Sequence, residues 1–311
     1  MPGAVGRASM ITPTPCRRSR WSMLSGMTAT IALALSTSLL FGIGDFLGGV
    51  ATRRDSAFAV TGTSHLISIV LMAIVVFILP AAAPTTADLG FGALSGLLGV
   101  AGVLALYAAL AVGRMSIVAP VSAALSAALP AIFDFATGTS LSPITITGIA
   151  LALVAIVIVS IAPEDQLHEP VHEYRPQLAL GLAILSGFGF SGAFISLSFT
   201  AVESGLTPIL AARVVSIAVA VVLALRFGNG FPVDRSALRP TIGAGLADVL
   251  ANVTMLTAIR IGPLAVASVL GSLFPVVVVA LARIFLKERL HAWQKFGVAL
   301  AVAAVLFSAM P

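Results

Sequence analysis

Successive apolar runs, each about 20 residues long, constrain this chain more than any other feature. They fall at about 28–50, 56–79, 89–111, 115–137, 142–162, 177–200, 206–225, 241–259, 264–285 and 292–310. A helix rises 1.5 Å per residue, so about 20 residues cross a hydrocarbon core of ~30 Å. The runs are too long for barrel strands, and in lipid the backbone must satisfy its own hydrogen bonds, which leaves helices. Composition agrees: 59% of the 311 residues are hydrophobic and 9% charged, where a soluble domain carries about 25% charged residues. The expected fold is an all-α membrane protein with ten transmembrane helices, multi-pass in the plasma or inner cell membrane.

The net charge is +5, yet Lys and Arg stand at the ends of the apolar runs and form no single basic face. The sequence therefore predicts the lipid bilayer as partner and no nucleic acid. One cysteine, Cys16, allows neither a disulfide within the chain nor a thiolate metal cluster. His168 and His172 sit among acids in EDQLHEPVHE, but Pro170 between them breaks the helix that an i, i+4 metal pair requires. No metal and no cofactor are expected. Neither HExxH nor GxSxG nor a GxxxxGK[ST] loop occurs, which argues against an enzyme and against an ATPase within this chain.

The chain also repeats itself. A shift of 149 residues lays 95–160 on 244–309 without a gap and pairs Gly96 with Gly245, Gly113 with Gly262, and Gly148 with Gly297. A shift of 148 lays His65 on Arg213. Five spans repeated once make the second copy enter the membrane upside down, and inverted repeats of this kind characterise secondary transporters whose substrate site lies near the midplane. The expected organisation is a basic tail over 1–27, a first five-helix repeat over 28–162, a polar linker over 163–176 and a second repeat over 177–311.

The stretches YAALAVGRMSIVAPVSAALSAALP at 107–130 and AIRIGPLAVASVLGSLFPVVVVALARIFLKERLHAWQKFGVALAVAAVLF at 258–307 carry a resemblance. With Gly113 and Ser116 before Pro120, Gly262 before Pro275, and Glu288 before Gly297, they resemble the paired domains of EamA-type transporters of the drug/metabolite transporter superfamily. The resemblance implies a secondary transporter of small metabolites or drugs, with a small molecule as substrate and a homodimer left open. Lys287 departs from the family's usual Gly before the Glu. A passive channel or scaffold is the alternative, with an intramembrane enzyme behind it.

Ionisable residues inside the spans are the candidates for chemistry, since a charge at membrane depth needs a partner, a cavity or a proton. From the end of the bundle that carries the loops after odd-numbered spans, Asp45 lies at ~8 Å, Asp248 at ~10 Å, His65 at ~14 Å, Asn252 at ~17 Å and Arg213 at ~18 Å. Gly42, Asp45 and Gly49 share one helical face, as do Gly245, Asp248 and Asn252, so small residues bring neighbours close to each acid. The set Asp45, His65, Arg213, Asp248 and Asn252 is the expected substrate or proton site, with fixed ion pairs or interhelical glue as the competing roles. In small multidrug resistance relatives an acid on the first helix binds proton and cation in turn, and Asp45 is similar in position. Asp134 lies within reach of its span's end and is expected to be structural. Pro120, Pro130 and Pro275 are expected to kink spans 4 and 9. Most Arg and Lys outside the tail lie in the odd loops, which places those loops in the cytoplasm by the positive-inside rule.

Overall fold

The computed structural model describes residues 20–52, 54–55, 57–79, 81–112, 115–160, 175–227, 233–285 and 291–309. The tail to residue 19 with Cys16, the linker over 163–174 with its two histidines, and Gly113 and Glu288 lie outside the described residues. Those described are helical apart from short connections, with no strand among them. The first half contains α1 (Arg20–Thr52), α2 (Ala57–Ile78), α3 (Thr86–Val112), α4 (Met115–Ala136) and α5 (Pro143–Ser160). The second contains α6 (Pro176–Ser198), α7 (Thr207–Phe227), α8 (Arg235–Ile261), α9 (Leu264–Gly271), α10 (Phe274–Phe285) and α11 (Ala292–Ala309). Helices α1, α2, α3, α6 and α8 contain stretches long and apolar enough to cross a membrane; the remaining apolar helices are shorter within the described residues.

One expected span divides in two. The run over 264–285 is α9 followed by α10, with a turn at Ser272 and Leu273. Pro275 carries no N–H to return to the carbonyl of Gly271 and its ring crowds that turn, so the α-helical ladder stops. Ser272 instead donates its N–H to Ser268 at 3.0 Å and Leu273 to Leu270 at 3.2 Å. The break is buried, with Ser268, Ser272 and Leu273 all inaccessible. The expected kink at Pro275 is thus a full interruption, whereas α4 runs through both Pro120 and Pro130.

Packing follows small residues. Helix α1 lies along α8, and α3 lies along α6; α2 packs on α7, α4 on α9, and α5 on α11. A side chain at Gly189 would collide with the backbone of Gly102 at 2.7 Å, so two main chains meet there. Gly96 is pressed against the backbone of Ala212 on α7, and Gly245 in the same way against Ser64 on α2. In lipid, association rests on such close packing and on interhelical hydrogen bonds, because the apolar tails compete for greasy surface. Helix α4 ends in a Schellman turn: Gly138, at φ 95°, donates to Phe135, and Thr139 donates to Asp134. Glycine reaches that left-handed geometry without the Cβ penalty.

Candidate functional site

Three helices converge on one carboxylate. Asp248 on α8 accepts from the Arg213 guanidinium of α7 at 2.7 Å and from the Ser68 hydroxyl of α2 at 2.9 Å. Asn252, one turn along α8, donates its Nδ2 to Asp248 Oδ1 at 3.1 Å and to the Asp248 carbonyl at 2.8 Å. The pair is largely enclosed, with side-chain exposures of 11% for Arg213 and 24% for Asp248. Removing a charge pair from water costs several kcal/mol per ion, so its retention beside three helix seams needs these extra hydrogen bonds.

The sequence-predicted residues meet around this pair. His65 on α2 lies within Coulombic range of both Arg213 and Asp248, and Asp45 on α1 within range of Asp248. Arg213 pairs with Asp248 and not with Asp45: among the described residues no hydrogen bond or ion pair reaches the Asp45 carboxylate. Asp45 is exposed, beside the largely enclosed Arg213–Asp248 pair. His65 contributes a buried Nδ1 without a partner, and Arg213 a buried Nε without one.

The cluster thus holds two acids, one guanidinium and one imidazole, and among the described residues Asp45 is the acid without a partner. Ser68 joins the cluster as a direct ligand of Asp248; its place on the His65 face of α2, three residues on, was the signal available for it.

Asp134 serves a different purpose. Its Oδ2 accepts the Ala265 N–H at 2.8 Å, and its Oδ1 accepts the Thr139 hydroxyl at 2.8 Å. It therefore caps the first turn of α9 from another helix, where four N–H groups lack intrahelical partners.

Sequence reasoning passed over a second polar cluster at the other end of the bundle. Arg260, near the end of α8, donates to the Gly205 carbonyl at 2.6 Å and to the Thr200 and Ser204 hydroxyls at 3.0 Å each. Asp88, in the first turn of α3, accepts the Ala201 N–H at 2.7 Å. All of these bonds hold the short α6–α7 connection, and nothing in its composition announces a site.

The helical bundle with a buried, three-helix ion pair defines a polytopic membrane protein with a polar centre. Residues 177–310 match the model of the EamA-like transporter family, consistent with the resemblance read from the sequence. The chain is accordingly a multi-pass membrane protein of transporter type. No curated protein matches it. A solved structure described only as "Crystal structure of protein" superposes with a TM-score of 0.72 at 17% identity, over 90% of this chain and 96% of that one. That likeness is one of fold.

Proposed function

We propose that the chain is a proton-coupled secondary exporter of small metabolites or drugs, in which Asp45, beside the Arg213–Asp248 pair, binds a proton or a cationic group alternately. The observation that carries this reading is the division of labour between the two acids. Asp248 is neutralised by Arg213 at 2.7 Å, whereas Asp45 shares its field, is accessible and has no partner among the described residues. A fixed structural pair would leave no acid over.

The proposal includes ten spans in two inverted five-helix repeats, with α9 and α10 as one interrupted span. Its support is the way contacts map onto themselves when each helix is exchanged for its repeat mate. The α1–α8 pairing becomes the α6–α3 pairing, α2–α8 becomes α7–α3, and α2–α7 and α4–α9 return to themselves. The Gly96 contact with Ala212 likewise exchanges with that of Gly245 with Ser64. In this arrangement His65 and Arg213 are repeat mates on facing helices. Rocking of one repeat against the other gives alternating access without a nucleotide.

The test is transport in sealed proteoliposomes under an imposed proton gradient, comparing the natural chain with Asp45→Asn. The variant is near-isosteric and cannot titrate. Folded protein that no longer accumulates substrate against its gradient supports the assignment; accumulation at the natural pH dependence assigns Asp45 a structural role instead.

A further inference from the structure

The α6–α7 elbow, residues 199–206, is held more elaborately than any other connection among the described residues. Three separate helices hold it. Arg260 of α8 binds one carbonyl and two hydroxyls within it, and Asp88 of α3 binds the Ala201 N–H. Phe199 stacks on Phe91 of α3 with centroids 5.1 Å apart and meets Phe133 of α4 edge-on at 5.9 Å. The elbow also reaches the α2–α3 connection, where Ala82 donates to the Glu203 carbonyl at 3.1 Å. Asp88 and Glu203 supply the charges that face the guanidinium. Thr200, Ser204 and Asp88 are all buried.

The corresponding elbow at the opposite end joins α1 to α2 and rests on the start of α8. Arg54 donates to the Ser236 carbonyl at 2.8 Å, and Asp55 accepts the Asp234 N–H at 2.7 Å, and both bonds are exposed. Water competes with exposed bonds and strengthens none of them, so among the described residues the bonds that hold the 199–206 elbow are the better protected. The firmly held end lies opposite the one from which Asp45 is nearest.

We infer that residues 199–206 form the gate of the mouth remote from Asp45, and that Arg260, with Asp88, is the latch that keeps it closed. The guanidinium suits this work because its fork reaches three acceptors at once while remaining charged. Opening must break all of these bonds together and separate Phe199 from its two ring partners, which makes the transition switch-like. Arg260 is thus a positioning residue: it touches no substrate and sets which mouth is open. The consequence for transport rests on the transporter reading above, but the gate itself does not.

The experiment reads thiol accessibility, independently of any substrate. Two reporters are placed in a Cys16→Ser background. Ser268→Cys probes the buried interior of the bundle, where Ser268 is 0% exposed. Gly48→Cys probes α1 three residues beyond Asp45, toward the other end, where an added side chain meets nothing within 4 Å. An impermeant maleimide is applied to vesicles from each side in turn. With Arg260→Gln, labelling of Cys at 268 from the gate side rises about tenfold or more, which corresponds to about 1.4 kcal/mol in the opening equilibrium, while labelling at 48 falls. Arg54→Gln, the equivalent change at the other elbow, leaves the 268 rate as it was. An unchanged 268 rate in folded Arg260→Gln overturns the latch, and a rise at both reporters overturns it too, because that is general loosening. If Arg260→Gln does not fold, Asp88→Asn keeps the shape, removes the facing charge and carries the same expectations. Normal gating in a protein that moves no substrate would refute the transporter reading and leave the latch intact.

Discussion

The α1–α8 and α3–α6 seams are built alike and used differently. Both are long, glycine-bearing contacts between helices from opposite halves. In α3–α6 the backbones of Gly102 and Gly189 meet, and Gly99 stands 3.9 Å from the Ala193 methyl that a side chain there would touch. In α1–α8 Gly44 faces Ala247 at 3.5 Å in a similar way, but Asp45 and Asp248 follow as the next residues on each helix. The 149-residue shift places Asp248 on Gly99. The α3–α6 seam keeps closeness where the α1–α8 seam carries charge. Polar groups thus gather at one seam while the other supplies close packing.

The largest expected effect breaks the charged seam. Arg213→Ala leaves Asp248 enclosed without its cation, and the loss of one partner from a buried pair costs about 3–5 kcal/mol. Thermal unfolding in detergent should record it, and Arg213→Met combined with Asp248→Leu should restore most of the stability. Full stability in the single variant would mean that water already screens the pair.

Next comes the packed seam. Gly189→Leu drives a side chain into the Gly102 backbone, whose Cα lies 2.7 Å from the new Cβ, and overpacking of this kind costs about 1–3 kcal/mol or more. The same assay compares it with Gly48→Leu on α1, which meets nothing within 4 Å and should stay within about 0.5 kcal/mol of the natural chain. Equal losses at both sites would remove the distinction between seams.

Smaller still is the stability effect of Asp45→Asn, expected within about 0.5 kcal/mol because no bond is lost. Its effect is on transport alone, so a large fall in melting temperature would reveal a structural partner for Asp45. Sidedness sharpens the comparison without altering stability. A cysteine between Arg226 and Arg239 is expected to resist impermeant reagents added outside intact cells, and labelling there would reverse the orientation.

Much of this was legible in the chain. Apolar runs near the membrane's thickness define helices because the backbone has no other partner in lipid, and the acids at depth mark themselves because their burial is costly. Asp45, His65, Arg213, Asp248 and Asn252 were found in this way, and the structure gathers them around one carboxylate. Local pattern could not say which acid takes the arginine, since Asp45 and Asp248 lie at similar depth and differ only in the neighbour that faces them. Nor could it separate Pro275, which interrupts its span, from Pro130, which does not. Arg260 read as one more terminal charge, because its acceptors are carbonyls and hydroxyls that any sequence supplies. Hydrophobic length and the cost of buried charge act along the chain, so the sequence by itself determined the helices, the repeat offset and the candidate residues. The Arg213–Asp248 pairing, the absence of a partner for Asp45 among the described residues and the hold on the 199–206 elbow depend on distances across helices far apart in sequence, and only the tertiary structure decided them.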